Sequence, residues 1–350
     1  MNRHSLFSFI FVACLLALAY VSFGGVPVSA HEVYVLDASE IHSALQEPQP
    51  DFIQSIHDHL NQFMLWGSIV IALVLSVFFL SINRPLERVC DPWLLKLKKY
   101  SPHVAQVTLG LALIASGYYR AIFGVELPLS DIFGGFAVPF SYALIALGSM
   151  LVFGLFPRIA AICVSSIFAG LVWHFGIYML NYATYFGEAI TIVLFGGAHT
   201  LFADHRLAKL FTRVIPQHLY VYKFMIMRIL FGASLIFASL YAKFVHGALA
   251  LEVVSKYNLT HYFPFDPIFL VLGAMLIEIL IGVCFIIGFE IRFASLFFLV
   301  FLSMSLVFFG ESVWPHIILI GTAIAMFLHG YDRYTFSVQL ERNKNEEPVL

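Results

Sequence analysis

Residues Pro267–Phe289 read PIFLVLGAMLIEILIGVCFIIGF, twenty-three positions with one charged side chain, Glu278. About 20 apolar residues in a helix cross the hydrocarbon core of a bilayer, so this stretch is long enough to span. Outward from it lie eight more apolar stretches: Met64–Ile82, Val104–Tyr119, Phe136–Phe156, Ile159 to about Leu180, Ala189–Ala203, Ile229–Ala242, Phe293–Gly310 and Ser312–Leu328. The shorter ones can be completed by flanking side chains that snorkel to the interface. Of 350 residues, 61% are hydrophobic and 11% charged, whereas a soluble domain is about 45–50% apolar and about 25% charged. That balance excludes a soluble enzyme, a disordered chain and a nucleic-acid binder. The sequence predicts an all-α, polytopic membrane protein with nine transmembrane helices after a signal peptide, its partner surface the lipid bilayer.

Residues 1–30 carry Arg3 and His4, an apolar run from about Leu6 to Val21, and the small-residue triplet Val28-Ser29-Ala30. This is the pattern of a signal peptide. An uncleaved anchor helix is the second reading, and both place the residues after Ala30 outside the cytoplasm. The next boundaries are an acidic extracytoplasmic segment (31–63), a first transmembrane helix (64–82) and a basic cytoplasmic link (83–103). A cytoplasmic linker (204–223) and a polar cytoplasmic tail (331–350) come later in the chain. Fifteen Lys and Arg fall on the links between alternate spans, against Arg120, Lys243 and Lys256 on the other side. The bias puts the N-terminus outside and the C-terminus in the cytoplasm of a cell-membrane protein. Four cysteines form no readable disulfide framework.

Two parts of the chain echo each other. Ser116-Gly-Tyr-Tyr-Arg120 matches Ser239-Leu-Tyr-Ala-Lys243, and Phe186-Gly-Glu188 matches Phe309-Gly-Glu311, both at an offset of 123. Gly154-Leu-Phe-Pro-Arg158 matches Gly288-Phe-Glu-Ile-Arg292 at an offset of 134. Two four-helix repeats, 104–203 and 224–330, account for this, the second with an outer loop about ten residues longer. Four spans are an even number, so the repeats are expected to share one orientation. Arg228, Ser239-x-Tyr-x-Lys243, Glu278-x-x-x-Gly282, Gly288-Phe-x-x-Arg292 and Phe-Gly-Glu311 resemble the DoxX family of four-helix membrane proteins, here in two tandem copies. The first copy departs from the pattern: Leu144 stands at the Glu278 position and Ala105 near that of Arg228. The resemblance implies an accessory role beside membrane redox subunits that reduce quinone or oxidise quinol.

A charge at a span's centre costs ~2.5–3.5 kcal/mol on insertion scales, so Glu278 is expected to face the bundle interior or to be protonated. It is the candidate catalytic group, exchanging a proton with bound quinone; a neutral acid bonded to a neighbouring helix is the other reading. Arg120 with Glu188, and Lys243 with Glu311, are expected as charge pairs at the outer interface, binding an anionic head group or orienting the helices. His316 is the expected partner of Glu311. His174 and His199 fall at different depths, which argues against haem ligation. The 31–63 segment holds six acids, four histidines and no Lys or Arg. Cleavage after Ala30 would leave His31 terminal, able to chelate copper with His42 or His57; a solvated acidic arm is the plainer reading. Asp37-x-x-Glu40 reads as a capping box for a helix ending before Pro48, and a second helix is expected to run from Asp51 straight into the first span. Three functions are compatible with these residues: a redox-accessory subunit, a proton-coupled transporter, and a non-catalytic scaffold.

Overall fold

The computed structural model describes residues 35–83, 93–196, 209, 222–332 and 334–336, and every regular element among them is helical. The leader, His31, His199 and most of the linker and tail lie outside these residues. Five helices are long and apolar enough to cross a membrane: Leu129–Val152, Pro157–Phe195, Lys223–Val245, Pro267–Ile287 and Ile291–Phe309. Shorter apolar helices cover Leu60–Ala72 and Trp314–His329. The chain is an all-helical protein of membrane type.

The segment expected to lie outside forms α1 (Ala38–Gln46) and α2 (Phe52–Asp58), followed by α3 (Leu60–Asn83). The Asp37–Glu40 capping box forms, with the Asp37 N–H donating to Glu40 Oε2 at 2.7 Å. The expected run from Asp51 into the span is broken at His59, whose ring turns aside to Asp266 at 3.3 Å. A first quartet comes next: α4 (Ser101–Tyr119), α5 (Ala137–Val152), α6 (Pro157–Phe175) and α7 (Ala183–Phe195). The second comprises α8 (Lys223–Leu240), α10 (Pro267–Ile287), α11 (Ile291–Phe309) and α12 (Ile317–His329), with α9 (Gly247–Lys256) in its outer loop.

Pro157–Phe195 is not one rod. Thirty-nine helical residues would extend nearly 60 Å at about 1.5 Å per residue. Yet a Cβ on Gly196 would lie 2.9 Å from Arg158 Nη2. The run turns back at Gly176 (φ +60°) through a 3₁₀ segment, Gly176–Tyr182. The expected span Ala189–Ala203 is corrected accordingly: its helix starts at Ala183 and stops at Gly196 (φ +87°).

The same contacts occur in both quartets. Gly110 of α4 meets Gly148 of α5, and Gly232 of α8 meets Gly282 of α10; a Cβ on Gly110 would sit 2.6 Å from the Gly148 carbonyl. Small residues at such crossings let backbones approach where no hydrophobic effect drives helices together in lipid. Arg158 lies on Gly196 as Arg292 lies on Gly330. Gly154, Gly176 and Gly196 take positive φ, and so do Gly288, Gly310 and Gly330, each 134 residues on. The first helix of each quartet packs on the last of the other: α4 on α12, α8 on α7. Thr108 meets Gly321, and Gly187 meets Leu230. Ser101 Oγ donates to the Ala325 carbonyl at 2.6 Å, and Thr191 Oγ1 to that of Lys223 at 3.3 Å. Helix direction alternates within each quartet, and α4 and α8 run the same way.

Two sequence matches do not survive this: the first helices align at 122 residues, Gly110 with Gly232, so Ser239 corresponds to Gly117 and not to Ser116. The Phe-Gly-Glu pair at 123 residues is not an equivalence, because Gly187 lies inside α7 while Gly310 terminates α11. The residue in Glu188's place in the second quartet is Thr322, 134 positions on.

The outer segment is also not a solvated arm. Leu36 and Ala44 are buried in one cluster with Leu249 of α9, and Lys256 Nζ donates to Glu40 Oε2 at 2.6 Å. Phe52 stacks on Phe244 at 5.4 Å, and Gln49 accepts from the Ala248 N–H. Its acids meet a cation and its apolar residues meet an apolar helix, so the segment docks.

Candidate functional site

The second quartet encloses a cavity of about 270 Å³. Its walls come from α8, α10 and α11, from the turn before α12, and from the first quartet's Tyr178, Tyr182 and Tyr185; Val35 of the outer segment also lines it. Tyr178 and Tyr182 come from the 3₁₀ segment and Tyr185 from the first turn of α7.

Most of the lining is apolar, and apart from Glu126 the charged groups gather in one place. Beyond Leu240, α8 widens into a π-helical turn, Tyr241–Val245, a local form common at functional sites. From that turn Lys243 donates to Glu278 Oε2 at 2.7 Å, the two side chains 18% and 22% exposed. Glu278 is the twelfth of the 21 residues of α10. Glu311 accepts from Ser305 Oγ at 3.1 Å and lies 3.4 Å from His316 Nε2. Burial holds the Glu311 carboxyl above its ordinary range, against the opposing pull of Ser305 and Lys243. His316 Nδ1 lies 3.1 Å from the Ser312 carbonyl, which assigns the Nδ1 proton to that bond. Nε2 then faces the Glu311 carboxyl. The cluster offers an ammonium donor, a carboxylate, and a carboxyl–imidazole pair.

The expected Lys243–Glu311 pair is corrected: the π-turn carries Lys243 to Glu278, and Glu311 turns to His316. Arg120 and Glu188 do not pair either. Arg120 is exposed at a left-handed turn (φ 54°), while Glu188 is 1% exposed and accepts from Thr322 Oγ1 of α12 at 2.6 Å. Glu188 therefore joins the quartets at equivalent positions instead of lying at the outer interface. His42 lies 3.3 Å from Gln46 Nε2, and His57, its side chain 87% exposed, lies beside Asp58. Among the described residues no group of three or more His, Cys, Asp or Glu is arranged to hold a metal. His174 packs edge-on against Phe175 and lines a second space of about 260 Å³ with Glu126 and Asp131.

In the first quartet the matching space is filled. Leu144, fully buried, stands where Glu278 stands in the second. The shorter loop folds Phe123 inward at φ +65°, its N–H donating to Ser116 Oγ at 3.2 Å. Its ring packs on Phe168, Tyr182 and Tyr185, and the Tyr185 hydroxyl donates to the Phe123 carbonyl at 3.3 Å. The longer loop of the second quartet instead forms α9, which walls the cavity and leaves its centre open. The three tyrosines and Ser305 were absent from the sequence candidates, although the Tyr178/Tyr182/Tyr185 run was visible there. Comparison of the chain with protein-family models, curated proteins and solved structures finds no match.

Proposed function

We propose that the protein is a DoxX-like accessory subunit of a quinone-linked membrane redox system, and that the second quartet's cavity binds the quinone. In this reading nine transmembrane helices follow a signal peptide, the two quartets are tandem copies along one membrane normal, and the N-terminus lies outside. The observation that carries the proposal is the open aromatic cavity with its charged cluster, against the plugged equivalent next door. Ligand sites are mostly apolar with a few convergent polar groups, and this one has that make-up. A quinone ring can stack among the tyrosines while one carbonyl accepts from Lys243. The Glu311–His316 pair stands where a ring oxygen would take or give a proton, and the tail would follow Phe298, Phe301 and Leu302. Glu278 fixes the ammonium.

Mild-detergent purification followed by quinone extraction tests this, with co-purifying redox subunits identified from the same preparation. Quinone is expected in wild type and at least about tenfold less in Lys243→Met, a change that removes a charge-assisted bond. A wild-type protein that neither retains nor binds quinone overturns it. Intact mass of the mature chain checks cleavage after Ala30.

A proton-coupled transporter is the second reading. It is favoured by Glu126 and Tyr178, which line both spaces. Proton-driven uptake in liposomes that disappears in Glu278→Gln would select it.

A further inference from the structure

At the opposite end of α12 from the cavity, basic side chains crowd one buried corner. Lys98, Arg228, Arg292 and His329 are 7%, 2%, 7% and 5% exposed. Lys98, Lys223, Arg228 and Arg292 all lie close enough to act on His329. The carboxylate that the described residues place among them is Asp332, 4.0 Å from His329 Nε2 and facing Arg228 and Lys98. Arg228 lies over Gly288, where no Cβ would fit, and its Nη2 reaches the Tyr334 carbonyl at 3.5 Å. Its Nε and Nη1 are buried without a hydrogen-bond partner, as are both ring nitrogens of His329. The His329 ring stacks on Phe224 at 3.6 Å.

Arg228 and His329 thus bury nitrogens that no hydrogen bond satisfies, which costs free energy unless an acceptor joins them. The fold itself does not require the cluster. At the same corner the first quartet closes with Gln106 in place of Arg228 and Phe195 in place of His329, Gln106 donating to the Leu151 carbonyl at 2.8 Å. The approach to the corner has an interfacial character: residues 93–100 expose Trp93, Leu95, Leu97 and Tyr100 beside Lys96 and Lys99, and send Lys98 inward to the Tyr331 carbonyl at 3.2 Å. Aromatic and basic side chains together suit the head-group layer of an anionic leaflet.

We propose that the corner of Lys98, Lys223, Arg228, Arg292 and His329 binds a phosphate group, carried on an anionic phospholipid or free in solution. Guanidinium, ammonium and imidazole donors converging from several elements match an oxyanion with several acceptor oxygens. This proposal is independent of the cavity and its ligand.

The test is thermal unfolding of the full-length protein in neutral detergent with inorganic phosphate, phosphatidylglycerol or phosphatidylcholine added. Wild type is expected to be stabilised in a saturable way. A response to inorganic phosphate and phosphatidylglycerol assigns the group itself, and a response to phosphatidylglycerol alone assigns a lipid head group. Arg228→Gln and His329→Phe copy the first quartet's own residues, so they are suited to folding; each should raise the half-saturating concentration about tenfold or more, the loss of a hydrogen bond to a charged group. Arg228→Lys should weaken it less, and reads out the site should Arg228→Gln not fold. Absence of any saturable response in wild type, or equal responses in wild type, Arg228→Gln and His329→Phe, overturns the proposal.

Discussion

Glu278 and Lys243 hold each other in place, and removing either leaves a charge in a largely apolar cavity. Lys243→Met and Glu278→Gln should each lower stability by about 2 kcal/mol, less than for a fully buried pair because both side chains keep some exposure. The double variant Lys243→Met/Glu278→Leu should lose less than the two single losses combined, as a double-mutant cycle of thermal melts will show. Glu311 carries a pH signature. Burial raises its pKa, so its stabilising contribution is complete below about 4.3, the unfolded value, and is lost as pH rises through the folded value. Glu311→Gln should therefore flatten the decline of the melting temperature on the alkaline side of pH 4. A profile identical to wild type would mean that Glu311 is ionised throughout. Sequence alone marked these four residues as chemically active and gave Glu311 its His316 partner, but it paired Lys243 with Glu311 by depth. The actual partners depend on a π-turn that rotates Lys243 and on a 3₁₀ turn that presents His316, and neither has a signature in residue type.

Among the elements, the helix crossings are set by small residues. A Cβ on Gly110 would sit 2.6 Å from the Gly148 carbonyl, so Gly148→Val should cost about 3 kcal/mol, the upper range for overpacking. Gly170 has nothing within 4 Å of an added Cβ, and Gly170→Ala should be neutral or stabilise by up to about 1 kcal/mol; melts of the two variants check both statements. The outer segment is held by a different device. Hydrogen bonding to Lys256 lowers the Glu40 pKa, so this clamp is present above about pH 4.3 and weakens as pH falls through the folded value. Proteolysis across residues 37–47 should accelerate below that pH in wild type and show no such step in Glu40→Gln. Hydropathy located the apolar helices because a run of lipid-compatible residues needs no partner to be recognised. It misplaced α7, since Gly196 ends that helix by its backbone angle while the apolar run continues. The repeat was legible at 134 residues because glycines at turns and the arginines that lie on them are structural fixtures. The Phe-Gly-Glu match at 123 was two similar words in unlike settings.

For the molecule as a whole, two similar quartets have diverged into one packed body and one hollow one. Phe123 plugs the first, and Phe123→Ala should cost about 3–5 kcal/mol, as for other buried phenylalanines, and should also lower ligand retention, because its ring backs Tyr182 and Tyr185 of the cavity wall. Retention equal to wild type would mean that the two tyrosines hold their places without it. Hydropathy and charge carry the membrane class of the whole, but not which half is open; that rests on twelve extra residues between the first and second helices of the second quartet, whose folding into α9 is a tertiary outcome.

Val35 borders the cavity, and the Tyr257 hydroxyl lies between its carbonyl and that of Phe309, at 3.4 and 3.0 Å. Any reporter, affinity tag or tether spliced just ahead of residue 35 would thus attach at a residue of the cavity wall. Binding assays should carry their labels at the far terminus, and an upstream fusion becomes a deliberate way of disturbing that wall.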